Sequence, residues 1–283
     1  MSKRKRTPRT ARSRINAPRP TGTAARSGVK NTHNAGSAQG LWLYGLHAVC
    51  AALQNPNRKK HRLITTKPAA ENLQEALPEG FSMAIDPEIV DRSEIDTVCG
   101  PDSVHQGLAL LVSPLPDLYI EDVIDPDIQE NPQATDTLVV LDQATDPRNI
   151  GAVLRSARAF GVRAVILQDR NAPPETGAMA KAASGALEHV AMIRVTNLAR
   201  AMWTLKDAGY WCLGLDGYAE HDIGAVDPTS KRVVVLGAEG TGLRRLTRET
   251  CDQLVCIPMD RSAESLNLSN AAAIALYVVT RKR

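Results

Sequence analysis

The sequence predicts an α/β fold of two domains, the second of which contains a parallel sheet. Two apolar runs, Leu138–Leu141 and Val233–Leu236, are rich in valine, as the buried strands of parallel sheets are. Segments with helical periodicity separate these runs from other short apolar runs, and this alternation is typical of α/β proteins. A length of 283 residues is enough for two hydrophobic cores.

The first 38 residues differ in composition from the rest of the chain. Ten of the first thirty residues are lysine or arginine, and the first acidic residue is Glu71. The other residues carry 24 basic side chains against 31 acidic ones, so a basic arm precedes an acidic body. We predict that residues 1–38 are disordered and tether RNA by neutralising phosphates. The alternative, an organelle transit peptide, is disfavoured by three prolines that interrupt the helix such a peptide needs.

The cysteine content and hydropathy argue against metal and membrane partners. The five cysteines are scattered, and the closest pair, Cys251 and Cys256, has no histidine beside it. Because this spacing does not match a zinc site, we expect reduced thiols in a cytoplasmic protein without a metal. No apolar run approaches the roughly 20 residues of a membrane span, so no membrane partner is expected.

Residues 39–114 are predicted to form a small α/β domain. Its elements in order are a strand at Leu41–Gly45, a helix at Leu46–Leu53, a strand at Leu63–Ile64, a helix at Ala69–Leu77, a strand at Met83–Ile85, a helix near Pro87–Cys99 and a strand at Gly107–Val112. The basic cluster Arg58–Arg62 is either a solvated turn or an RNA contact. His105, just before the last strand, is either catalytic or structural.

Residues 115–134 are predicted to be an acidic linker, and residues 135–283 to be the second domain. Asp146 and Pro147 are a typical N-cap and first helical residue, so a helix is expected from there to Phe160, before Gly161. The remaining elements are strands at Val162–Leu167, Met192–Val195, Trp211–Leu215 and Val255–Met259, and helices at Ala178–Leu187, Leu198–Ala208, Leu243–Cys251 and Ala271–Thr280.

The turn Gly237–Gly242, which leaves the strand Val233–Leu236, contains three glycines and one carboxylate, Glu239. Glycines allow positive φ and let the backbone approach a ligand. Here they occupy the first, fourth and sixth places, whereas a dinucleotide-binding turn needs the first, third and sixth. The chain that follows is also too short for the rest of such a fold, so a nicotinamide-dependent dehydrogenase is only a distant alternative.

Three polar segments follow strands of the second domain. They are Asn149 with Arg155, the glycine turn with Glu239, and Ser265–Ser269. Since ligands of open α/β sheets bind outside the carboxyl ends of the strands, these segments predict one site for a small ligand. The alternative for Arg155 is a solvated basic helix face.

Three stretches of the second domain resemble the signature motifs of the SpoU/TrmH family. The first is Asn149–Arg155 (NIGAVLR), the second is Leu236–Leu243 (LGAEGTGL), and the third joins Ile257–Met259 (IPM) to Ser265–Ser269 (SLNLS). Members of this family are S-adenosylmethionine-dependent RNA ribose 2′-O-methyltransferases of the SPOUT class. Asn270 departs from the family pattern, in which an apolar residue is common at this position.

The front domain is similar to a substrate-binding domain of the same family. Tyr44–Val49 and His105–Gly107 resemble the ribosomal-L30e-like domain of the branch that modifies rRNA guanosine. The resemblance implies an enzyme that methylates the ribose 2′-hydroxyl of a guanosine in 23S rRNA. Two alternatives stay open: the same chemistry on a tRNA guanosine, and a non-catalytic RNA-binding factor in ribosome assembly.

The resemblance also implies a C-terminal trefoil knot, a homodimer and S-adenosylmethionine as the methyl donor. The positions that match the family's donor-binding residues are Gly237, Gly240, Ile257, Met259 and Leu266. The positions that match its catalytic residues are Asn149, Arg155, Glu239 and Asn267. In such a dimer, the arginine of one protomer faces the donor bound by the other.

Each of these catalytic positions has an expected role. Arg155 should stay charged and stabilise the developing oxyanion, because a guanidinium does not lose its proton in proteins. Glu239 and Asn267 would orient the nucleophile and Arg155, while Asn149 would fix the loops. The alternative for Glu239 is a structural acceptor for backbone N–H groups.

Overall fold

The computed structural model describes residues 40–124, 135–226, 230–260 and 265–281. The predictions for the basic tail and for residues 125–134 of the linker therefore lie outside the described residues. The described part of the linker contains a 3₁₀ turn at Ile120–Val123, and both residues that bound this turn are buried.

The front domain is a four-stranded sheet with three helices. Its strands are β1 (Leu41–Tyr44), β2 (Lys60–Thr65), β3 (Pro87–Ile89) and β4 (Leu108–Val112), in the spatial order β1-β4-β2-β3. Its helices are α1 (Leu46–Gln54), α2 (Lys67–Ala76) and α3 (Arg92–Cys99). Strand β4 is antiparallel to both β1 and β2, whereas the edge strand β3 is parallel to β2.

The third strand lies further along the chain than predicted. Residues Met83–Ile85 do not form a strand, whereas Pro87–Ile89 do, with Pro87 opposite Leu63 of β2. Proline has no N–H to donate, but it is tolerated as the first residue of an edge strand. Because β3 occupies these residues, α3 begins only at Arg92, and the helix predicted from Pro87 is wrong over its first turn.

His105 has a structural environment inside the front domain. Its side chain is buried, and Nε2 lies 2.8 Å from Oδ1 of Asp96. Its Nδ1 accepts a hydrogen bond of 3.0 Å from the backbone N–H of Gly107. Both ring nitrogens are therefore engaged, which supports the structural interpretation over the catalytic one.

The second domain contains the predicted parallel sheet, here with six strands. They are β5 (Asp136–Leu141), β6 (Ala164–Gln168), β7 (Ala191–Val195), β8 (Trp211–Leu215), β9 (Lys231–Leu236) and β10 (Gln253–Val255), in the spatial order β10-β8-β9-β5-β6-β7. Its helices are α4 (Pro147–Ala159), α5 (Gly177–Ala183), α6 (Leu198–Asp207), α7 (Arg245–Thr250) and α8 (Leu268–Thr280). The two valine-rich runs that predicted the sheet, in β5 and β9, lie side by side at its centre.

Helices cover both faces of this sheet. One buried apolar cluster combines α4, α5 and α8 with Val139 of β5 and Val234 of β9. A second cluster combines α6 with Val140 and Val235, the next residues of the same strands. Alternate side chains therefore enter opposite layers, which is why the runs Leu138–Leu141 and Val233–Leu236 are apolar at every position.

The C-terminal segment differs from the prediction at both ends. The last strand stops at Val255 instead of continuing to Met259, and Cys256 makes only an isolated bridge to Asp222. The last helix begins at Leu268, which is earlier than predicted. The edge strand thus ends at Val255, and the last helix starts at Leu268.

The front and second domains pack directly against each other. Leu43 of β1 and Met179 of α5 belong to one buried apolar cluster. At Gly177, an added Cβ would lie 2.6 Å from the carbonyl oxygen of Trp42 and would also collide with the ring of Tyr44. A glycine is therefore required where α5 meets β1.

The basic cluster Arg58–Arg62 is divided by the fold. The Arg58 side chain is fully buried and pairs with Glu175 and Glu188 of the second domain at 3.1 and 2.7 Å. Burial opposes its charge, but hydrogen bonds to Glu188 and the charge of Glu175 outweigh this effect and raise the pKa of Arg58. Both interpretations of the cluster are wrong for Arg58, whereas Lys59 and His61 are exposed.

The described residues contain neither a membrane-spanning helix nor a candidate metal site. No helix among them is long and apolar enough to cross a membrane. The same residues contain no group of three or more histidine, cysteine or acidic side chains that could hold a metal ion.

Candidate active site

Three of the four predicted catalytic residues meet at the carboxyl ends of β5 and β9. The Nδ2 atom of Asn149 donates to Oε1 of Glu239 at 2.9 Å. The Nδ2 atom of Asn267 donates to the same oxygen at 2.8 Å and to Oδ1 of Asn149 at 3.0 Å. Asn149 lies 90 positions before Glu239 and 118 positions before Asn267, so only the folded sheet brings these residues together. We call them the Asn–Glu–Asn cluster.

The N-terminus of α8 completes the cluster. The backbone N–H of Leu268 donates to Oε1 of Glu239 at 3.1 Å. The Oδ1 atom of Asn267 accepts from the backbone N–H of Ser269 at 2.9 Å, which caps the helix. Carboxylates are favoured near the positive end of a helix, so α8 and Glu239 stabilise each other. Glu239 does accept from backbone, as the structural alternative required, and it also accepts from both asparagines.

The glycine turn is tight because its two ends touch. The backbone of Ala238 and that of Gly242 exchange hydrogen bonds of 2.9 and 3.2 Å. A Cβ on Gly237 would collide with the carbonyl group of Gly242 and the nitrogen of Leu243. Gly240 has φ +79°, and no atom lies within 4 Å of the place of its missing Cβ. The turn therefore places the Glu239 side chain beside Asn149 and Asn267.

An ion pair that the sequence did not predict holds the end of the turn. The side chain of Asp142, which follows β5, is fully buried and accepts from Nε of Arg244 at 2.7 Å and from its backbone N–H at 3.0 Å. The turn that carries Glu239 is thereby fixed to the strand that precedes Asn149. The available signal was an acidic residue directly after one buried strand and a basic residue two positions after the glycine turn.

Arg155 lies apart from the cluster in this single chain. Its side chain is exposed on α4, and among the described residues no hydrogen bond or ion pair joins it to Asn149, Glu239 or Asn267. The apolar stripe of the same helix is buried in the core, as its periodicity predicted. A residue that the family resemblance places in the site is therefore free to meet another molecule.

The predicted donor-binding residues border the same loops. Ile257 and Leu266 are half-buried, and Met259 is 36% exposed. Ile257 packs against the apolar cluster that also contains Leu236, at the end of β9. Apolar side chains, open glycines and a carboxylate thus occur along one edge of the sheet, a combination that suits a small ligand with apolar and polar parts.

Two family models match the chain. The SpoU rRNA Methylase family matches residues 136–277, and the model for RNA 2′-O ribose methyltransferase substrate binding matches residues 42–118. The chain belongs to the SpoU rRNA methylase family. The two matches correspond to the six-stranded and the four-stranded sheet, and the Asn–Glu–Asn cluster lies wholly in the methylase part.

Curated relatives match over most of their length. The 23S rRNA (guanosine-2′-O-)-methyltransferase RlmB of Vibrio cholerae is 40% identical over 242 residues, which are 85% of this chain and 96% of the relative. The protein of the same name from Pseudomonas putida is 38% identical, covering 85% and 96%. The similarity to these relatives therefore covers both domains of this chain.

Solved structures of family members share the fold. The SpoU methyltransferase AviRb from Streptomyces viridochromogenes, in complex with AdoMet, superposes with a TM-score of 0.67 at 23% identity, covering 86% of this chain and 90% of that one. An AdoMet-bound rRNA methyltransferase from Sinorhizobium meliloti gives a TM-score of 0.68 at 23% identity, covering 85% and 87%. The predicted α/β architecture, with a substrate-binding and a SPOUT domain, is confirmed.

Removing the Glu239 carboxylate should loosen the cluster. In Glu239→Ala, three N–H donors lose their common acceptor, and we expect about 1 kcal/mol less stability and a tenfold or greater loss of methyl transfer. Thermal melting and initial rates measure the two effects. Glu239→Gln is the matched control, because its amide oxygen still accepts these bonds and should retain more of both. Equal losses in the two variants would contradict this role of the acceptor oxygen.

Proposed function

We propose that this protein transfers a methyl group from S-adenosylmethionine to the ribose 2′-hydroxyl of a guanosine in 23S rRNA, in the bacterial cytoplasm. The observation that carries the proposal is the Asn–Glu–Asn cluster, assembled from three distant segments beside a glycine turn. The names and near-complete coverage of the curated relatives support the guanosine and the rRNA.

The loops around the cluster fit the methyl donor. We assign its contacts to Gly237, Gly240, Ile257, Met259 and Leu266, by backbone groups and apolar side chains. The open space at Gly240 leaves the turn accessible, and the half-buried Ile257 and Leu266 offer apolar surface. When bound, S-adenosylmethionine supplies a methyl group on a positively charged sulfur, and its transfer to the ribose oxygen leaves S-adenosylhomocysteine and one proton.

The protein must position a weak nucleophile and balance its developing charge. A ribose 2′-hydroxyl is a poor nucleophile at neutral pH, so orientation and electrostatic stabilisation supply most of the catalysis. Glu239 and Asn267 present a carboxylate and an amide held at fixed positions, and Asn149 ties their two loops together. Arg155, as a permanent cation, would hold the adjacent phosphate and stabilise the oxyanion.

We further propose a homodimer in which Arg155 of one protomer serves the site of the other. The support is the exposure of Arg155 together with apolar side chains that α8, the helix packed on α4, leaves at the surface. Tyr277 is 57% exposed, and its ring makes an edge contact with the ring of Phe160, with 6.2 Å between the ring centroids. Ile274 is 39% exposed. A second copy would cover these side chains and bring its own Arg155 nearby.

The trefoil knot also belongs to this proposal. After β10 at the edge of the sheet, the chain returns towards the centre, where Asn267 contacts Asn149 and Glu239. A C-terminal segment that ends beside Asn149 and Glu239 is consistent with threading. Knotted chains are rare, so this path would be a defining property of the fold.

Methyl transfer from radiolabelled S-adenosylmethionine tests the proposed function. Total RNA from a strain that lacks this protein is labelled, separated by size and digested to nucleosides. We expect label in large-subunit rRNA as 2′-O-methylguanosine. Label in tRNA would overturn the substrate, and RNA binding without any label would overturn the activity.

Deleting residues 1–38 should weaken RNA binding and flatten its dependence on salt. Without the arm, fewer phosphates are neutralised and fewer counterions are released, so the slope of log affinity against log salt should decrease by about 0.7–0.9 per phosphate. Fluorescence anisotropy over a salt series measures the slope. Donor binding, measured by calorimetry, should not change. An unchanged slope would refute the tether.

A further inference from the structure

A buried ion cluster between the two domains is centred on Arg58. The Arg58 side chain, between α1 and β2, is fully buried, while Glu175 and Glu188 of the second domain are 13% and 2% exposed. Nη1 of Arg58 lies 3.1 Å from Glu175, and Nη2 lies 2.7 Å from Glu188. Its Nη1 also donates to the carbonyl oxygen of Ser113, at the end of the front domain. One guanidinium therefore connects three chain segments.

Neighbouring groups restrict this cluster to one geometry. Nδ2 of Asn55 donates to Oε2 of Glu188 at 2.7 Å, and the backbone carbonyl of Asn55 accepts from Lys60 at 2.8 Å. Nε of Arg58 contacts both oxygens of Glu188 at 3.1 Å. A fork of several N–H groups on a carboxylate fixes orientation as well as distance. The cluster thus adds directional polar contacts to the apolar packing between the two domains.

A second polar contact ties the front-domain motifs to α5. Lys181 of α5 donates to Oε1 of Gln106, and the same oxygen accepts from the backbone N–H of Leu46 at 3.4 Å. A Cβ on Gly45 would lie 2.6 Å from Nζ of Lys181. The two front-domain motifs, around Gly45 and around Gln106, thus meet at a lysine of the methylase domain.

Helix α5 separates the front domain from the helix that bears Asn149 and Arg155. One side of α5 is pressed on β1 at Gly177. The other side is pressed on α4 at Gly151, where an added Cβ would lie 2.8 Å from Cβ of Ala182 and would collide with the carbonyl oxygen of Met179. Packed interiors have little free volume. Because both contacts of α5 are this close, the position of the front domain determines the position of α4.

We propose that Arg58 is a positioning residue, which, through Glu175 and Glu188, holds the front domain at a fixed place relative to the Asn–Glu–Asn cluster. The role rests on the proposed methyl transfer to RNA. Because the orientation of the front domain is then fixed, an RNA bound to this domain presents one ribose to the cluster. Because its side chain is fully buried, Arg58 would touch neither RNA nor donor.

Substituting Arg58 tests the role by separating binding from chemistry. In Arg58→Ala, the front domain loses the polar contacts that fix its orientation on the second domain, so KM for long rRNA should rise about tenfold. The kcat value and the KM for S-adenosylmethionine should stay within about twofold of wild type, because the cluster is untouched. A short RNA that reaches only the methylase domain should react equally with both proteins. Small-angle X-ray scattering should show a larger radius of gyration for the variant.

Further variants cover the case in which Arg58→Ala fails to fold. The triple variant Arg58→Met, Glu175→Gln and Glu188→Gln removes all three charges at similar volume, a change that folded proteins commonly tolerate. It should show the same rise in KM. Arg245→Ala is the matched control, because it removes an exposed ion pair with Glu249 within one helix and should alter neither KM nor radius.

The outcomes separate this inference from the proposed function. A folded triple variant with wild-type KM for long RNA and a wild-type radius of gyration would overturn the positioning role. A parallel fall in kcat and donor affinity would also overturn it, since that pattern marks general loss of structure. If the wild-type protein transfers no methyl group, the proposed function fails. Scattering and RNA affinity of the same variants then still decide whether Arg58 fixes the domains.

Discussion

Replacing Arg155 with alanine should lower kcat for methyl transfer by about 10²–10³-fold, the usual cost of removing one group that stabilises an oxyanion. The side chain is exposed on α4 and outside the apolar stripe, so the free energy of unfolding should change by no more than about 0.5 kcal/mol. Single-turnover rates with saturating donor and thermal melting measure the two quantities. Arg158→Ala, three residues further along the same exposed side of α4, is the matched control and should retain wild-type kcat.

Mixed dimers show which protomer supplies the arginine. An Arg155→Ala protomer keeps Glu239, and a Glu239→Ala protomer keeps Arg155. If Arg155 acts across the dimer, each mixed dimer regains one complete site, and an equal mixture should recover about a quarter of wild-type activity. If Arg155 acts within its own chain, mixing restores nothing. Sedimentation of the wild-type protein checks the dimer directly, and a monomer would contradict the arrangement.

Near-wild-type turnover by Arg155→Ala would remove this residue from the mechanism. Its exposure would then reflect only a solvated basic face, the alternative that the sequence left open. Arg155→Lys discriminates further. A lysine preserves the charge but not the planar fork, so a partial rescue of kcat would separate electrostatic stabilisation from bidentate phosphate contact.

The sheet and the cluster could be predicted because they follow from local patterns and one rule of topology. Valine-rich runs identified β5 and β9, and Asp146 with Pro147 marked the start of α4; the Asp146 side chain does accept from the N–H of Arg148. Parallel strands end on the same side of a sheet, so polar residues after β5 and β9 had to lie close together. The segment Ser265–Ser269 follows the last predicted strand and was assigned to the same site by this rule, whereas the catalytic role of Asn267 came from the family resemblance.

The ion pairs of Arg58 and Asp142 with distant segments, and the position of one strand, could not be predicted. Arg58 lies in a run of basic residues that is typical of a solvated turn, but in the fold it is buried against Glu175 and Glu188, more than 100 positions away. The pair Asp142–Arg244 depends in the same way on the approach of two loops. The position of β3 was missed because a proline at the first residue of an edge strand gives no strand signal.

Replacing Gly237 with alanine should disable donor binding through the backbone alone. The new methyl group would collide with the carbonyl group of Gly242 and the nitrogen of Leu243, and neither is a flexible side chain that could move aside. Relief requires the turn to open, which breaks the paired hydrogen bonds between Ala238 and Gly242 and displaces Glu239. We expect a loss of about 1–3 kcal/mol of stability, as for overpacking elsewhere.

Calorimetric titration with S-adenosylmethionine and thermal melting measure these effects, and donor affinity should fall at least about tenfold, as a loss of about 1.4 kcal/mol or more implies. Gly217→Ala is the matched control, because nothing lies within 4 Å of its Cβ position and its φ is not in the left-handed region. It should retain both properties. If Gly237→Ala bound the donor as tightly as Gly217→Ala, the turn would not contact the donor. The three glycines would then serve only to bring Glu239 to Asn149 and Asn267.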